Sequence, residues 1–278
     1  MQLKEFIKKA LKEDIGDGDH TSIACIPSSV KSSAELLVKE NGIIAGVNAA
    51  IEVFQQVDET LKIKVLLADG TSVKKGDIVF TVSGKAQSIL TAERLVLNIM
   101  QRMSGIATAT TKMNTLLINT SCKILDTRKT TPNMRMLEKE AVRIGKGHNH
   151  RKGLYDMILI KDNHIDFAGG IKEAIRSAND YLVKHKKKLK IEIEVRNLLE
   201  INEVLKVGMV NRIMLDNFNT NDLKKAIKLI PKKYETEASG GITEKNIRSY
   251  ALTGVQYISC GTLTHSVKSL DLSLKATK

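Results

Sequence analysis

The sequence predicts an α/β protein whose larger, C-terminal part is an incomplete α/β barrel. Three observations lead there. Beyond Ser121, short apolar β-rich runs alternate with helix-patterned segments at a repeating distance, the pattern of a parallel sheet with crossover helices. Nearly every run is followed by an ionisable side chain or a glycine turn, as at the C-terminal ends of barrel strands. The 278 residues suffice for two domains or one large barrel.

Taken in order, Leu3, Phe6, Ile7, Ala10 and Leu11 fall on one helix face, and the interspersed Lys and Glu residues exclude a signal peptide. Residues 34–39 read as a strand ending at the turn Asn41-Gly42, 46–57 as a helix, and 61–67 as a strand ending at Asp69-Gly70. Residues 73–82 are two β-rich pieces around a Gly-Asp turn. They resemble a biotinyl or lipoyl hammerhead, except that no lysine stands between methionines at a hairpin tip. A long helix is predicted over 91–117 from Leu95, Ile99, Met103 and Ile106, with Gly105 weakening it and marking where it would divide. The domain boundary falls in this helix, giving domains 1–108 and 109–267. The later β-rich runs are 123–125, 157–160, 191–195, 212–215, 234–238 and 257–259. Between them lie helical segments at 168–184, 198–207, 222–230 and 243–252.

The composition narrows the function. No apolar stretch approaches the ~18–20 residues of a membrane span. The three cysteines, Cys25, Cys122 and Cys260, form no C-x-x-C pair and fit reduced thiols in the cytoplasm. The net charge is +13. Much of the lysine lies in runs at 184–190 and 224–233, read as solvated faces. With 4% aromatic residues and no Trp, stacking platforms for single-stranded nucleic acid are missing. Hydride transfer is disfavoured because no G-x-G-x-x-G follows a strand.

The strand ends carry the chemistry. Cations come from Arg102, Arg128, Lys129, His150, Arg151 and Lys161, suited to carboxylates and phosphates. Ser239-Gly240-Gly241 and Gly261 open loops before helices, where bare N–H groups suit a phosphate. Glu194 and Asp216 oppose them, as carboxylates that hold a divalent metal, ribose hydroxyls or a developing cation. A phosphorylated sugar and a dicarboxylic acid fit this inventory. His148-x-His150 would suit zinc, but a third ligand at diagnostic spacing is not visible.

Ordered motifs then add a family. ILDTRKTTP (124–132), NHR (149–151), LIKDNH (159–164), EIEV (192–195), IMLDNF (213–218), EASGGI (237–242) and ISCGTLTHS (258–266) resemble quinolinate phosphoribosyltransferase. EDIGDGDHTS (13–22), NGIIAG (41–46) and LNIMQRMSGIAT (97–108) are similar to the same family, in order. The resemblance implies an N-terminal α/β sandwich domain, a barrel of about seven strands, and a tail, 268–278, that returns to the sandwich. It implies a homodimer or larger assembly with shared active sites, and no nucleic acid or membrane partner.

By the same resemblance Arg102, Arg128, His150, Arg151 and Lys161 bind quinolinate, with Arg102 reaching across subunits and Lys129 nearby. Lys129, Glu194, Asp216, Ser239, Gly240, Gly241, Gly261 and His265 bind phosphoribosyl pyrophosphate. Glu194 and Asp216 take Mg2+, directly or through water, and together with Lys129 and Lys161 form the catalytic set. Two positions depart from the family pattern: Lys146 and Asn133 stand where glycine is usual. Two other readings are a molybdenum-transport paralogue using a different acceptor and a basic nucleic-acid-binding protein on a degenerate barrel.

Overall fold

A computed structural model of the chain describes residues 2–277. It opens with α1 (Leu3–Ile15), α2 (His20–Cys25), β1 (Lys31–Val38), β2 (Gly42–Ile43), α3 (Val47–Val57), β3 (Lys62–Val65), β4 (Ser72–Val73) and β5 (Ile78–Lys85). Then come α4 (Ala86–Thr115), β6 (Lys123–Leu125), α5 (Arg135–Ile144), β7 (Ile158–Ile160), α6 (Asp162–Ala168), α7 (Ile171–Lys184), β8 (Ile191–Val195) and α8 (Leu198–Val207). The last elements are β9 (Arg212–Asp216), α9 (Thr220–Leu229), β10 (Glu235–Ser239), α10 (Ile247–Ala251), β11 (Tyr257–Ser259), α11 (Thr262–His265) and β12 (Leu272–Thr277). Two compact units result. One comprises Met1–Thr111, Thr130–Lys146 and Leu263–Lys278; the other comprises Lys112–Lys129 and Gly147–Thr262.

The first unit is an α/β sandwich. Its antiparallel sheet runs β12-β1-β5-β3, with the small pair β2-β4 beside it. β1 shows the alternation of a half-buried strand, with Ala34, Leu36 and Val38 buried. Phe54 of α3 meets Phe80 of β5 edge-to-face at 5.8 Å, a geometry that the ring quadrupoles favour. The predicted division of the long helix does not occur: α4 runs unbroken through Gly105. The glycine serves a close approach instead, since a Cβ there would stand 2.3 Å from the Lys268 carbonyl oxygen and 3.1 Å from Ser269 Cα. α5 was not anticipated, because it buries Glu138 and Lys139 beside Leu137 and Ala141 and so hides its apolar stripe.

The second unit holds an all-parallel six-stranded sheet in the order β6-β11-β10-β9-β8-β7. From β7 to β11 the strands are neighbours in chain order, and β6, the first, pairs with β11, the last of them. That is a barrel with one seam, lying between β6 and β7. On the free side of β6 a single parallel bridge joins Leu125 to His148, all that occupies the seventh position among the described residues. The helix expected at 168–184 is α7, beginning at Ile171 because Gly169 and Gly170, with φ of 89° and 138°, separate it from α6. Asn197 and Asn219 cap α8 and α9, each accepting two backbone N–H groups. The lysines at 184, 186–188 and 224–225 are exposed, as read from the sequence. No helix among the described residues is long and apolar enough to cross a membrane.

The barrel strands are not simply apolar. Ile191, Ile193, Val195, Ile213, Leu215, Ala238 and Ile258 occupy one face. Glu192, Glu194, Arg212, Asp216, Glu235 and Glu237 alternate with them on the other.

Candidate active site

The end of β8 and the turn after β7 bring two predicted residues together. Lys161 Nζ lies 3.2 Å from Glu194 Oε2, with Glu194 buried and Lys161 half exposed. Burial raises the Glu194 carboxyl above its ordinary range; Lys161 opposes this and the charge of Asp216 adds to it. Asp216, at the end of β9, accepts a hydrogen bond from Asn217 Nδ2 at 2.6 Å. Asn217 itself is left-handed, φ 57°, a conformation asparagine tolerates. Its backbone N–H donates to the Ser239 carbonyl at 2.9 Å, tying the β9 end to the β10 end.

The β10 loop depends on glycine. Gly240 and Gly241 have φ of 91° and 62°. A Cβ on Gly240 would stand 2.1 Å from Asn217 Oδ1 and 2.9 Å from its backbone nitrogen. Gly261 stands between β11 and α11.

The predicted cationic residues of this unit gather in the loops after β6 and at 147–151. Arg151 sits close enough to Arg128 that burial first, and Arg128 second, lower its pKa, against Glu192 and Asp156. Its Nη1 donates to the Met157 carbonyl at 3.2 Å. The wholly buried Asp126 accepts the His150 backbone N–H at 2.8 Å and Asn149 Nδ2 at 2.6 Å. Lys129 is exposed, its backbone N–H donating to Thr127 Oγ1 at 3.0 Å. His148 and His150 part company: the first is exposed, the second buried.

Arg102 and His265 belong to the first unit. On α4, Arg102 donates Nε and Nη2 to Glu138 Oε1 at 3.0 and 2.9 Å, and Nη1 to the Val267 carbonyl at 3.3 Å. Its Nη2 also donates to the Thr264 carbonyl. His265, next in the chain, has Nδ1 2.6 Å from Ser266 Oγ. Sequence reasoning gave no site role to Glu138, Asp126, Glu192, Arg212, Glu237 or Asn217. For the strand residues a signal exists: charged side chains recur on the alternate positions of IEIEV, RIMLD and ETEAS, interrupted only by Met214 and Ser239, in strands whose other positions are buried.

Comparison with known proteins decides the family. Residues 19–104 match "Quinolinate phosphoribosyl transferase, N-terminal domain", and residues 106–275 match the C-terminal domain of the same description. The chain belongs to the quinolinate phosphoribosyltransferase family. It is 44% identical over its whole length to a probable nicotinate-nucleotide pyrophosphorylase (carboxylating) of Bacillus subtilis, covering 94% of that protein. It is 47% identical to the chloroplastic nicotinate-nucleotide pyrophosphorylase (carboxylating) of Oryza sativa, over 98% of this chain and 77% of that one. The crystal structure of NadC from Streptococcus pyogenes superposes with a TM-score of 0.94 at 38% identity, covering 99% of this chain and 96% of that one.

The two departures from the quinolinate phosphoribosyltransferase pattern keep the backbone a glycine would give. Lys146 and Asn133 both have φ of 64°. Lys146 is exposed, whereas Gly145 before it is packed so that a Cβ would stand 2.5 Å from the Ala107 carbonyl oxygen.

Proposed function

We propose that this chain transfers the phosphoribosyl group of phosphoribosyl pyrophosphate to quinolinate with decarboxylation, releasing nicotinate mononucleotide, pyrophosphate and carbon dioxide. The observation that carries the reading is the placement of Arg151 beside Arg128, whose charge, after burial, lowers the Arg151 pKa, in a chain of this family. Such a pair suits a dianionic ligand, whose two carboxylates relieve the repulsion.

In this reading Arg128, His150, Arg151 and Lys161 form the quinolinate pocket, joined by Arg102 from a second copy in a homodimer. The pocket presents the ring nitrogen to the anomeric carbon. Lys129, Ser239, Gly240, Gly241, Gly261 and His265 bind the phosphates. Pyrophosphate departs through an oxocarbenium-like state that Glu194 and Asp216 stabilise electrostatically. The quaternised ring nitrogen then accepts the electron pair released as the adjacent carboxylate leaves. Glu194 and Asp216 are the residues that would hold magnesium. Their hard oxygens suit it, and the charge of Asp216, which adds to burial in raising Glu194, is what a divalent cation would relieve. Bound there, magnesium supplies charge neutralisation for the pyrophosphate. The three unpaired thiols support a cytoplasmic setting.

The test supplies purified protein with phosphoribosyl pyrophosphate, magnesium and either quinolinate or nicotinate, and identifies products by mass spectrometry. Nicotinate mononucleotide from quinolinate alone is expected. Folded protein that makes none from either acceptor refutes the proposal and favours a paralogue with another acceptor.

A further inference from the structure

Within the second unit lies a set of charges of which the proposed reaction uses only His150. Glu192 and Glu237 are wholly buried, at 0% exposure. Glu192 precedes Glu194 by two residues on β8, and Glu237 precedes Ser239 by two on β10. Both therefore sit on the charged face of the sheet, one layer behind the strand ends. Between them comes the ring of His150. Its Nε2 is 2.9 Å from Glu192 Oε2 and 3.5 Å from Glu237 Oε2. Arg212 on β9 completes the set, with Nη1 2.9 Å from Glu237 Oε2 and 3.9 Å from Glu192 Oε2. Arg212 also pairs with Glu235 at 2.9 Å and lies 4.3 Å over the Tyr257 ring.

The donors of His150, Glu192 and Glu237 lie within 4.8 Å of one another, a spacing that would suit a cation. The cluster has one of its own in Arg212. The remaining nitrogen of His150, Nδ1, accepts the backbone N–H of Arg151 at 2.7 Å. An acceptor at Nδ1 assigns the ring proton to Nε2, facing the carboxylates. One imidazole thus spans from a buried carboxylate pair to the backbone of a candidate substrate arginine. Asp126 fixes the same loop from its other side.

Resting on the reaction proposed above, we propose that Glu192 and Glu237 are positioning residues. By orienting the His150 ring they fix the Arg151 backbone, and so hold the Arg128–Arg151 pair at the spacing a pyridine dicarboxylate needs. The physical need is plain. Two half-buried guanidiniums repel before the ligand arrives, and a loop free to move would separate them. Rigid carboxylates behind the loop remove that freedom in advance, so the ligand does not bear the ordering cost.

The test compares wild type, Glu192→Gln and Glu192→Leu. Glutamine keeps an oxygen for the Nε2 proton, and leucine removes it. The expected result is a quinolinate KM raised by about 10-fold or more in Glu192→Leu and by less in Glu192→Gln, with the phosphoribosyl pyrophosphate KM within about 3-fold of wild type. A role in folding alone would lower the active fraction, and hence kcat, with both KM values unchanged; that outcome overturns the proposal. If the leucine variant does not fold, an unchanged quinolinate KM in Glu192→Gln overturns it equally. Hydrogen exchange at the Arg151 amide gives a readout independent of turnover. Protection there should fall in Glu192→Gln relative to wild type, and equal protection counts against the bracket even if the wild type proves inactive toward quinolinate.

Discussion

Replacing Arg102 by alanine should cost more stability than almost any other single change in the first unit. Glu138 is wholly inaccessible, while the Arg102 side chain retains 20% exposure. The carboxylate accepts two N–H bonds from Arg102, and the backbone N–H and Oγ1 of Thr131 at 3.1 and 2.8 Å. Taking the guanidinium away leaves a buried carboxylate with only the threonine to satisfy it, a loss of about 3–5 kcal/mol by analogy with other broken buried pairs. That is a large part of the ~5–15 kcal/mol that holds a domain folded. Glu138→Gln should cost less, because the arginine left behind keeps the Thr264 and Val267 carbonyls and some water. Neutralising both, as Arg102→Met with Glu138→Met, should recover most of the stability, because the price of an unmatched buried charge disappears. Urea denaturation followed by circular dichroism, with midpoint and slope fitted together, measures all four proteins. An Arg102→Ala midpoint shifted by less than the equivalent of ~1 kcal/mol, or a double variant less stable than Arg102→Ala, would refute the reasoning.

Three further outcomes follow from the geometry. Burial and the neighbouring charge of Glu237 push the Glu192 carboxyl up to about 7. The folded chain therefore keeps at Glu192 a proton the unfolded chain releases, so this contribution to stability is full at low pH and is lost as pH rises from the ordinary carboxylate range through about 7. Denaturation midpoints should fall across that range, and a flat profile would contradict it. Gly240→Ala should abolish turnover and lower the Tm, since its Cβ would meet the Asn217 backbone at 2.9 Å with φ at 91°; wild-type kcat/KM would show that the loop can relax. Of the three thiols only Cys25 is exposed, and burial pushes Cys122 and Cys260 up to about 12, so a thiol reagent should label one site in folded protein and three in denaturant.

Periodicity was legible where an element has one dry face. α8 spans the predicted 198–207, and β6, β8 and β11 coincide with predicted runs. It failed where a charge sits inside. α5 buries Glu138 and Lys139, so its stripe does not look apolar. Gly105 read as a weak point because sequence shows its lack of a side chain, not the chain segment at Lys268 that requires that lack. Strand-end reasoning singled out Lys161 and Asp216, which follow apolar runs directly, and Glu194, which lies within one. The layer behind them stayed out of view. Nothing local links His150 in a loop to Glu192 and Glu237 on strands 42 and 87 residues further on; only the barrel's closure brings them within hydrogen-bonding range.

Both units are sealed by late parts of the chain. In the barrel, β6 finds its sheet neighbour only when β11 arrives, pairing Lys123 with Tyr257. In the sandwich, β1 waits for β12, pairing Ser33 with Thr277. During synthesis, therefore, β1 leaves the ribosome with an open hydrogen-bonding edge and keeps it until β12 has emerged. Long-range pairings of this kind fold slowly and leave strand edges open to other chains. A chain that stops before β12 should carry one sheet unfinished, which makes that strand a control on which nascent chains complete the sandwich and which are cleared.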